Sequence, residues 1–211
     1  MKKAAPKPVN FFPMLVRLEG KKCLVVGGGK VAAEKIAGLL QHGAEVIVVS
    51  PDAASAIERQ ARSGVVTWRK RKFSGRDVSS VFLVIAATNS LAVNSSVLKA
   101  SRRSGALCNS VDDPENCDFF YPAVVRRGPL QIAISTNGQS PAAAARLRRE
   151  LEQQFGPEWG EWIEHIGRVR ASLMREPMSN RARRAKLLAL ASEQSFKDFL
   201  QRTTIASKRS G

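Results

Sequence analysis

A doubly wound, parallel α/β sheet is predicted for the first half of this 211-residue chain, and three observations predict it. Apolar strand patterns alternate with helical ones in short, closely spaced units. The strands read as near-continuous apolar runs, as expected when both faces of a sheet are covered. The first of them runs through a glycine turn directly into a helix, in Cys23-Leu24-Val25-Val26-Gly27-Gly28-Gly29-Lys30-Val31-Ala32.

In that stretch Gly27, Gly29 and Ala32 fit G-x-G-x-x-A, the fingerprint of a dinucleotide-binding βαβ unit. Gly27 allows the tight turn out of the strand, and Gly29 lets backbone N–H groups approach a pyrophosphate. Ala32 keeps the helix close to the sheet, and the helix N-terminus offers positive potential to the phosphates. Residues 30–42 form the helix, with Ala32, Ile36, Leu39 and Leu40 on one face and Gly43 just beyond its end. A second strand over 45–49 ends at Ser50-Pro51-Asp52. A helix over 53–63 stops at Gly64, and 65–68 is the third strand, followed by the basic loop Arg69-Lys70-Arg71-Lys72. Residues 81–86 are the fourth strand. Ala87-Thr88-Asn89 then leads into a helix that runs to Arg103 and closes at Gly105, and 106–111 is the fifth strand. Together these elements make a Rossmann-type domain over residues 10–118.

Beyond it the pattern changes. Residues 130–135 alternate at period two, as a strand with one free face does. Asn137-Gly138-Gln139-Ser140-Pro141 supplies a turn, a serine N-cap and a proline at the first helical position. The following helix carries Leu147, Leu151 and Phe155 and ends at Gly156-Pro157. Trp159, Trp162, Ile163, Ile166, Val169 and Leu173 form the stripe of another helix. Leu187, Leu188, Phe196, Phe199 and Leu200 mark one further helical stretch, and Thr203–Gly211 reads as a frayed basic tail.

Composition narrows the class. Hydrophobic residues make up 44% of the chain, enough for a packed core. No apolar run reaches the ~18 residues that a membrane span needs. The basic start Met1–Pro8 is followed by no apolar core, so a secretory signal is not expected. Three cysteines without metal-ligand spacing, Cys23, Cys108 and Cys117, read as free thiols of a reducing cytoplasm. His42 and His165 lack a second ligand at metal spacing, so no preformed metal site is expected. The net charge of +16 and pI near 10.6 suit nucleic acid, a small, highly anionic substrate, or a generally basic surface with no such role. Aromatic residues are only 6% of the chain, and no RNP-like or zinc-finger pattern is present, which argues against nucleic acid.

In a doubly wound sheet, ligands collect beyond the carboxyl ends of the strands. Four such ends are read together: Gly27–Val31, Ser50–Asp52, Ala86–Asn89 and Cys108–Pro114. The candidate cofactor contacts are Gly27, Gly28, Gly29, Lys30, Val31, Ser50, Pro51, Asp52, Thr88 and Asn89. The adenine ribose would be held by Asp52 or by the Ser50–Pro51 backbone, unless Asp52 caps the next helix instead. No arginine follows at once to receive a 2′-phosphate, which favours NAD over NADP. The fifth strand end carries Asn109-Ser110-Val111-Asp112-Asp113-Pro114-Glu115, an acidic cluster suited to proton transfer or, alternatively, a solvated Asp-Asp-Pro turn. Tyr121 is followed four residues later by Val125, so no Tyr-x-x-x-Lys dehydrogenase site is present.

Read together, several motifs resemble the precorrin-2 dehydrogenase family, which includes the N-terminal module of siroheme synthase. They are Phe11-Phe12-Pro13-Met14-Leu15, the glycine turn, Ala86-Ala87-Thr88-Asn89, Cys108-Asn109-Ser110-Val111-Asp112, Phe119-Phe120-Tyr121-Pro122-Ala123 and Ile134-Ser135-Thr136-Asn137-Gly138-Gln139-Ser140-Pro141. The resemblance covers residues 9–200. It implies NAD-dependent oxidation of precorrin-2 to sirohydrochlorin, and in some members insertion of ferrous iron into that product. The family's catalytic aspartate falls on Asp112, whereas Asp113 occupies a position that is often small. The resemblance also implies a cytoplasmic homodimer in three parts: an NAD-binding domain at 1–118, a small α+β dimerisation segment at 119–155 with an exchanged strand and helix, and a helical C-terminal domain with a basic tail at 156–211. It leaves no room for the methyltransferase module of some relatives.

The substrate of that family, a tetrapyrrole with eight carboxylates, accounts for the positive charge. Expected substrate contacts are Asn109, Thr136, Asn137, Gly138, Arg146 and Arg149, with Arg126, Arg127 and Arg148 as further basic candidates. The competing classes are a non-catalytic NAD-sensing regulatory module, which would not need the Asn109–Asp112 motif, and a nucleic-acid-binding protein. Neither nucleic acid nor membrane is expected as a partner.

Overall fold

Five short apolar strands, β1 (Lys22–Val26), β2 (Glu45–Val49), β3 (Thr67–Arg69), β4 (Leu83–Ala86) and β5 (Leu107–Ser110), form one parallel sheet in the order β3-β2-β1-β4-β5. Helices α1 (Lys30–Gln41), α2 (Ser55–Arg62) and α3 (Leu91–Ser104) connect them. The computed structural model describes residues 11–209, with side chains through Thr203. Two compact units divide it, one ending at Tyr121 and the other starting at Pro122.

Alternate strand residues pack on opposite faces of the sheet. Val25, Val48 and Ile85 meet Ile36 and Ile57 on one side, while Leu24, Val26, Val84 and Cys108 meet Val97 and Leu98 on the other. Both faces are therefore covered, which is why the strands show no polar alternation. Val26 lies beside Val49 and Ala86, and Ala86 beside Ser110. Four strand ends are thus level with one another, and the strand order reverses at β1, where a ligand crevice forms in such sheets.

The expected element types hold, but their edges move for local reasons. The N–H groups of Val65 and Val66 both reach the Gln60 carbonyl, so these residues finish the turn after α2 and β3 starts later than the expected 65. Val81 N–H closes the 3₁₀ turn Gly75–Val78 through the Val78 carbonyl, which delays β4 to Leu83. Helix α3 waits for Ser90, whose hydroxyl accepts from the Val93 N–H.

The unit that starts at Pro122 opens with an antiparallel hairpin, β6 (Ala123–Arg127) and β7 (Leu130–Ile134), and β7 shows the expected alternation of burial. Strand β6 is an addition to the sequence analysis, which places one strand there. Only Ala123, Val124 and Val125 are apolar between Pro122 and two arginines, and pairing with β7 across Gly128 (φ +53°) supplies what the sequence pattern does not. Helices α4 (Pro141–Gln154), α5 (Glu158–Leu173), α6 (Asn180–Leu190) and α7 (Glu193–Arg209) follow. Ser140 caps α4 with Pro141 at its first position, as expected.

The single helical stretch expected beyond Leu187 is in fact two helices. Ser192 accepts from the Ser195 N–H and starts α7 afresh. The frayed tail expected from Thr203 is also corrected: no glycine or proline interrupts α7 before Arg209, and Glu193 pairs with Lys197 at 2.7 Å in its first turns. Trp159 and Trp162 of α5 pack on Phe196 of α7 with ring centroids 4.4 and 5.0 Å apart. The basic start and Ser210–Gly211 lie outside the described residues.

Candidate functional site

The glycine turn is crowded on one side and open on the other. Gly27 has φ +123°, and a Cβ there would lie 2.2 Å from the Ala87 carbonyl oxygen. Gly28 is tighter: its Cβ would sit 2.0 Å from the Asp52 carbonyl oxygen and 2.7 Å from Ser50 Oγ. A Cβ on Gly29 would meet nothing within 4 Å. Gly27 thus lets the turn touch the backbone after β4, the central glycine, outside the G-x-G-x-x-A pattern, lets it touch the backbone after β2, and Gly29 borders open space. Gly29 is also the N-cap of α1 and offers no side-chain cap. The first N–H groups of α1, at Lys30 and Val31, are therefore left to a ligand or to water. Both residues are exposed. This geometry fits a dinucleotide pyrophosphate.

At the end of β2, Ser50 is 7% exposed. Its hydroxyl donates to the Asp52 carbonyl, and its own carbonyl accepts from Trp68 Nε1 at 3.1 Å. Ser50 therefore shapes the loop from below. Pro51 and Asp52 are exposed. Helix α2 takes Ala54 as its N-cap, with no side-chain cap bond, so Asp52 does not perform the capping role that was its alternative. Two arginines that the sequence leaves in a basic loop are committed elsewhere. Arg69 Nη1 and Arg71 Nη1 lie 2.9 and 2.8 Å from the carboxylate of Asp77. Asp77 is 4% exposed, and these guanidinium groups, Arg71 first, pull its pKa down to about 2.

At the ends of β4 and β5, a residue absent from the sequence analysis ties the expected ones together. Asn94, in the first turns of α3, bonds Thr88 through both its oxygen and its nitrogen. Its nitrogen also donates to Asp112 Oδ2 at 3.3 Å. The sequence gives little signal for it, since Asn94 opens the polar run Asn94-Ser95-Ser96 inside the helix. Asp112 and Asn89 are exposed. Asp113 behaves differently from its neighbour, since its carboxylate accepts from Asn116 Nδ2 at 3.0 Å and holds the 3₁₀ turn Pro114–Asn116.

Asn109 is 7% exposed and donates its amide to the Phe119 carbonyl at 2.9 Å, tethering the chain as it leaves the loop. Cys117 Sγ accepts from the Ser110 N–H at 3.1 Å and lies 3.2 Å from the Asp113 carbonyl oxygen, closing the loop that carries Asp112. Burial raises the Cys117 thiol pKa and pushes Cys23 and Cys108 to about 11. Burial thus favours the protonated thiol at all three cysteines. Among the described residues, no group of three or more His, Cys, Asp or Glu could hold a metal ion.

The remaining candidates belong to the unit that starts at Pro122. Thr136–Gln139 is a tight turn closed by Gln139 N–H to the Thr136 carbonyl at 2.9 Å, with Asn137 and Gly138 both at positive φ. Arg146 and Arg149 project from α4 and are exposed. Arg146 pairs with Glu150 at 2.7 Å, and Arg148 pairs with Glu152. Arg127 is used internally: its guanidinium donates to the Phe155 and Glu152 carbonyls at 2.7 and 2.9 Å. It thereby satisfies the last carbonyls of α4 instead of remaining available to a substrate.

Comparison with known proteins agrees with this geometry. Residues 14–123, more than half of the chain, match the family model described as "Putative NAD(P)-binding", and residues 127–154 match "Sirohaem biosynthesis protein central". Siroheme synthase of Nitrosococcus oceani is 36% identical over 176 residues, which are 83% of this chain and 38% of that protein. Siroheme synthase 1 of Pectobacterium atrosepticum is 39% identical over 83% of this chain and 37% of its own length. The chain thus spans well under half of these curated relatives. A solved structure of SirC, precorrin-2 dehydrogenase, superposes with a TM-score of 0.78 at 28% identity, covering 91% of this chain and 98% of that one. No helix among the described residues is long and apolar enough to cross a membrane. Residues 14–123 therefore make up an NAD(P)-binding domain, and the chain belongs to the family of siroheme synthase and precorrin-2 dehydrogenase.

Proposed function

We propose that the chain oxidises precorrin-2 to sirohydrochlorin with NAD, in sirohaem biosynthesis. The observation that carries this reading is the placement of Asp112. Its exposed carboxylate stands at the end of β5, on the same edge of the sheet as the glycine turn, and is anchored through Asn94 to the loop after β4. Oxidation removes a hydride and a proton from the macrocycle. Bound NAD supplies the hydride acceptor. Asp112 takes the proton, and Thr88 and Asn89 border the cofactor beyond β4. Lys30 and Val31 offer N–H groups to the pyrophosphate.

The preference for NAD over NADP is supported by Asp52, which is exposed at the ribose position beyond β2 and suited to accept from ribose hydroxyls. Arg69 and Arg71 are drawn to Asp77 instead of standing ready for a 2′-phosphate. Contacts to the substrate's carboxylates are assigned to the Thr136–Gly138 turn and to Arg146 and Arg149, and the working form to a homodimer. Ferrous iron enters this scheme only as a second substrate.

Purified protein supplied with NAD and precorrin-2 is expected to produce sirohydrochlorin absorbance and one NADH per turnover. Asp112→Asn should retain NAD binding and lose at least about 100-fold in turnover, the usual scale for a removed general base. Full turnover by that variant removes Asp112 from the role of base.

A further inference from the structure

Asn94 is 2% exposed, and every hydrogen-bonding position of its amide is filled. Its Oδ1 accepts from the Thr88 N–H at 3.3 Å and from Thr88 Oγ1 at 2.7 Å. Its Nδ2 donates to the Thr88 carbonyl at 3.0 Å and to Asp112 Oδ2 at 3.3 Å. A peptide N–H can only donate, so the amide oxygen must face Thr88 N and the NH₂ group must face Asp112. Reversing the amide would set donor against donor in a buried site, at the full desolvation penalty. The side chain is therefore held in one orientation by the loop after β4, and it presents a fixed donor to the loop after β5.

We propose that Asn94 is a positioning residue that fixes the Asp112 carboxylate and couples it to the Thr88 loop at the cofactor. The proposal rests on the reading of Asp112 as the base. An exposed aspartate on a loop samples several rotamers, whereas a base must stay within hydrogen-bond reach of the proton it removes. A misplacement of about 1 Å can cost on the order of 100-fold in rate. Asn94 sits on α3, whose Val97 and Leu98 pack into the core beneath β4, so its amide moves only if the helix does. The Thr88 and Asp112 loops are then set with respect to each other by one side chain.

The experiment compares Asn94→Asp, Asn94→Ala and Asp112→Asn in the full-length protein, reading kcat, NAD affinity and melting temperature. Asn94→Asp keeps an oxygen facing the Thr88 N–H and hydroxyl but loses the donor to both Asp112 and the Thr88 carbonyl. It should lower kcat at least about tenfold, by a larger factor than it weakens NAD binding. Asn94→Ala also releases the Thr88 loop and should lose both kcat and NAD affinity. A folded Asn94→Asp variant with unchanged kcat, beside an inactive Asp112→Asn, overturns the positioning role. An active Asp112→Asn overturns the base assignment instead. Independently of turnover, the melting-temperature losses of Asn94→Ala and Asp112→Ala should be non-additive in the double variant, as for residues in direct contact. Additive losses would overturn the coupling.

Discussion

Gly28 and Asp52 are in backbone contact: a methyl group on Gly28 would lie 2.0 Å from the Asp52 carbonyl oxygen, and the Gly28 carbonyl accepts from the Ala54 N–H at 2.7 Å. The glycine turn and the loop after β2 are thereby built as one piece. Gly29, one residue on, faces open space.

These two glycines should respond differently to the same change. Gly28→Ala must push the loop after β2 away, and should cost about 2 kcal/mol or more of stability, the range of a backbone clash in a packed site. Gly29→Ala should leave the melting temperature nearly unchanged but weaken NAD binding, because the added methyl group occupies ligand space. Thermal unfolding and nucleotide titration of both variants check this. Equal stability losses would contradict it.

Asp52 is expected to set the choice of dinucleotide. Asp52→Ala should weaken NAD several-fold and leave NADP little changed or improved, since a carboxylate repels a 2′-phosphate. The ratio of the two affinities, measured in the same buffer, is the readout. A ratio unchanged by the substitution would place ribose recognition on the Ser50–Pro51 backbone.

Asp77 should make the fold sensitive to acid. Its pKa in the folded chain is about 2, against the ordinary 3.8, because Arg71 and Arg69 favour the charged form. A carboxyl group depressed on folding stabilises fully above its unfolded pKa, and that contribution fades as pH falls through the folded value. The contribution should therefore be complete above pH 4 and largely gone near pH 2, and by linkage it amounts to about 2 kcal/mol. Urea unfolding of the wild type and Asp77→Asn should show a gap at pH 7 that narrows below pH 4. A gap independent of pH would mean that packing, not charge, is lost.

Arg127 is expected to act on stability and not on substrate binding. Arg127→Ala frees the Phe155 and Glu152 carbonyls at the end of α4 and should cost about 1–3 kcal/mol. Gly160→Ala should add to the damage, because its Cβ would lie 2.7 Å from the Arg127 carbonyl oxygen. Denaturant melts and the substrate KM, measured together, separate the two roles. A raised KM with unchanged stability would return Arg127 to the substrate contacts.

The first unit was largely legible in the chain because its signals are local. Apolar runs of four or five residues, with Gly43 and Gly105 beyond their helices, each act on their own neighbours, as Ser140-Pro141 does at the start of α4 in the other unit. Strand β6 was not legible, since its two valines become a strand only when β7 pairs with them. The break at Ser192 was missed for the opposite reason: apolar residues on both sides of it keep helical spacing, and one serine cap separates the helices.

Local residue types thus determined the glycine turn and the parallel sheet, and the resemblance to the family singled out Asp112 within its acidic cluster. Tertiary structure decided what each polar group is free to do. By residue type alone, Arg127, Ser50, Asn109 and Asp113 are as fit for a ligand as Arg149, Asp52, Asn89 and Asp112, and only the resemblance to the family sets Asp112 above Asp113. Burial and hydrogen bonding commit the first four to the protein and leave the second four exposed. Asn94 is the reverse case, an unremarked helical residue given its role by contacts with residues 6 and 18 positions away. A polar side chain carries the same chemistry wherever it stands, but its partners are assigned only when distant strand ends are brought level by the packing of the core.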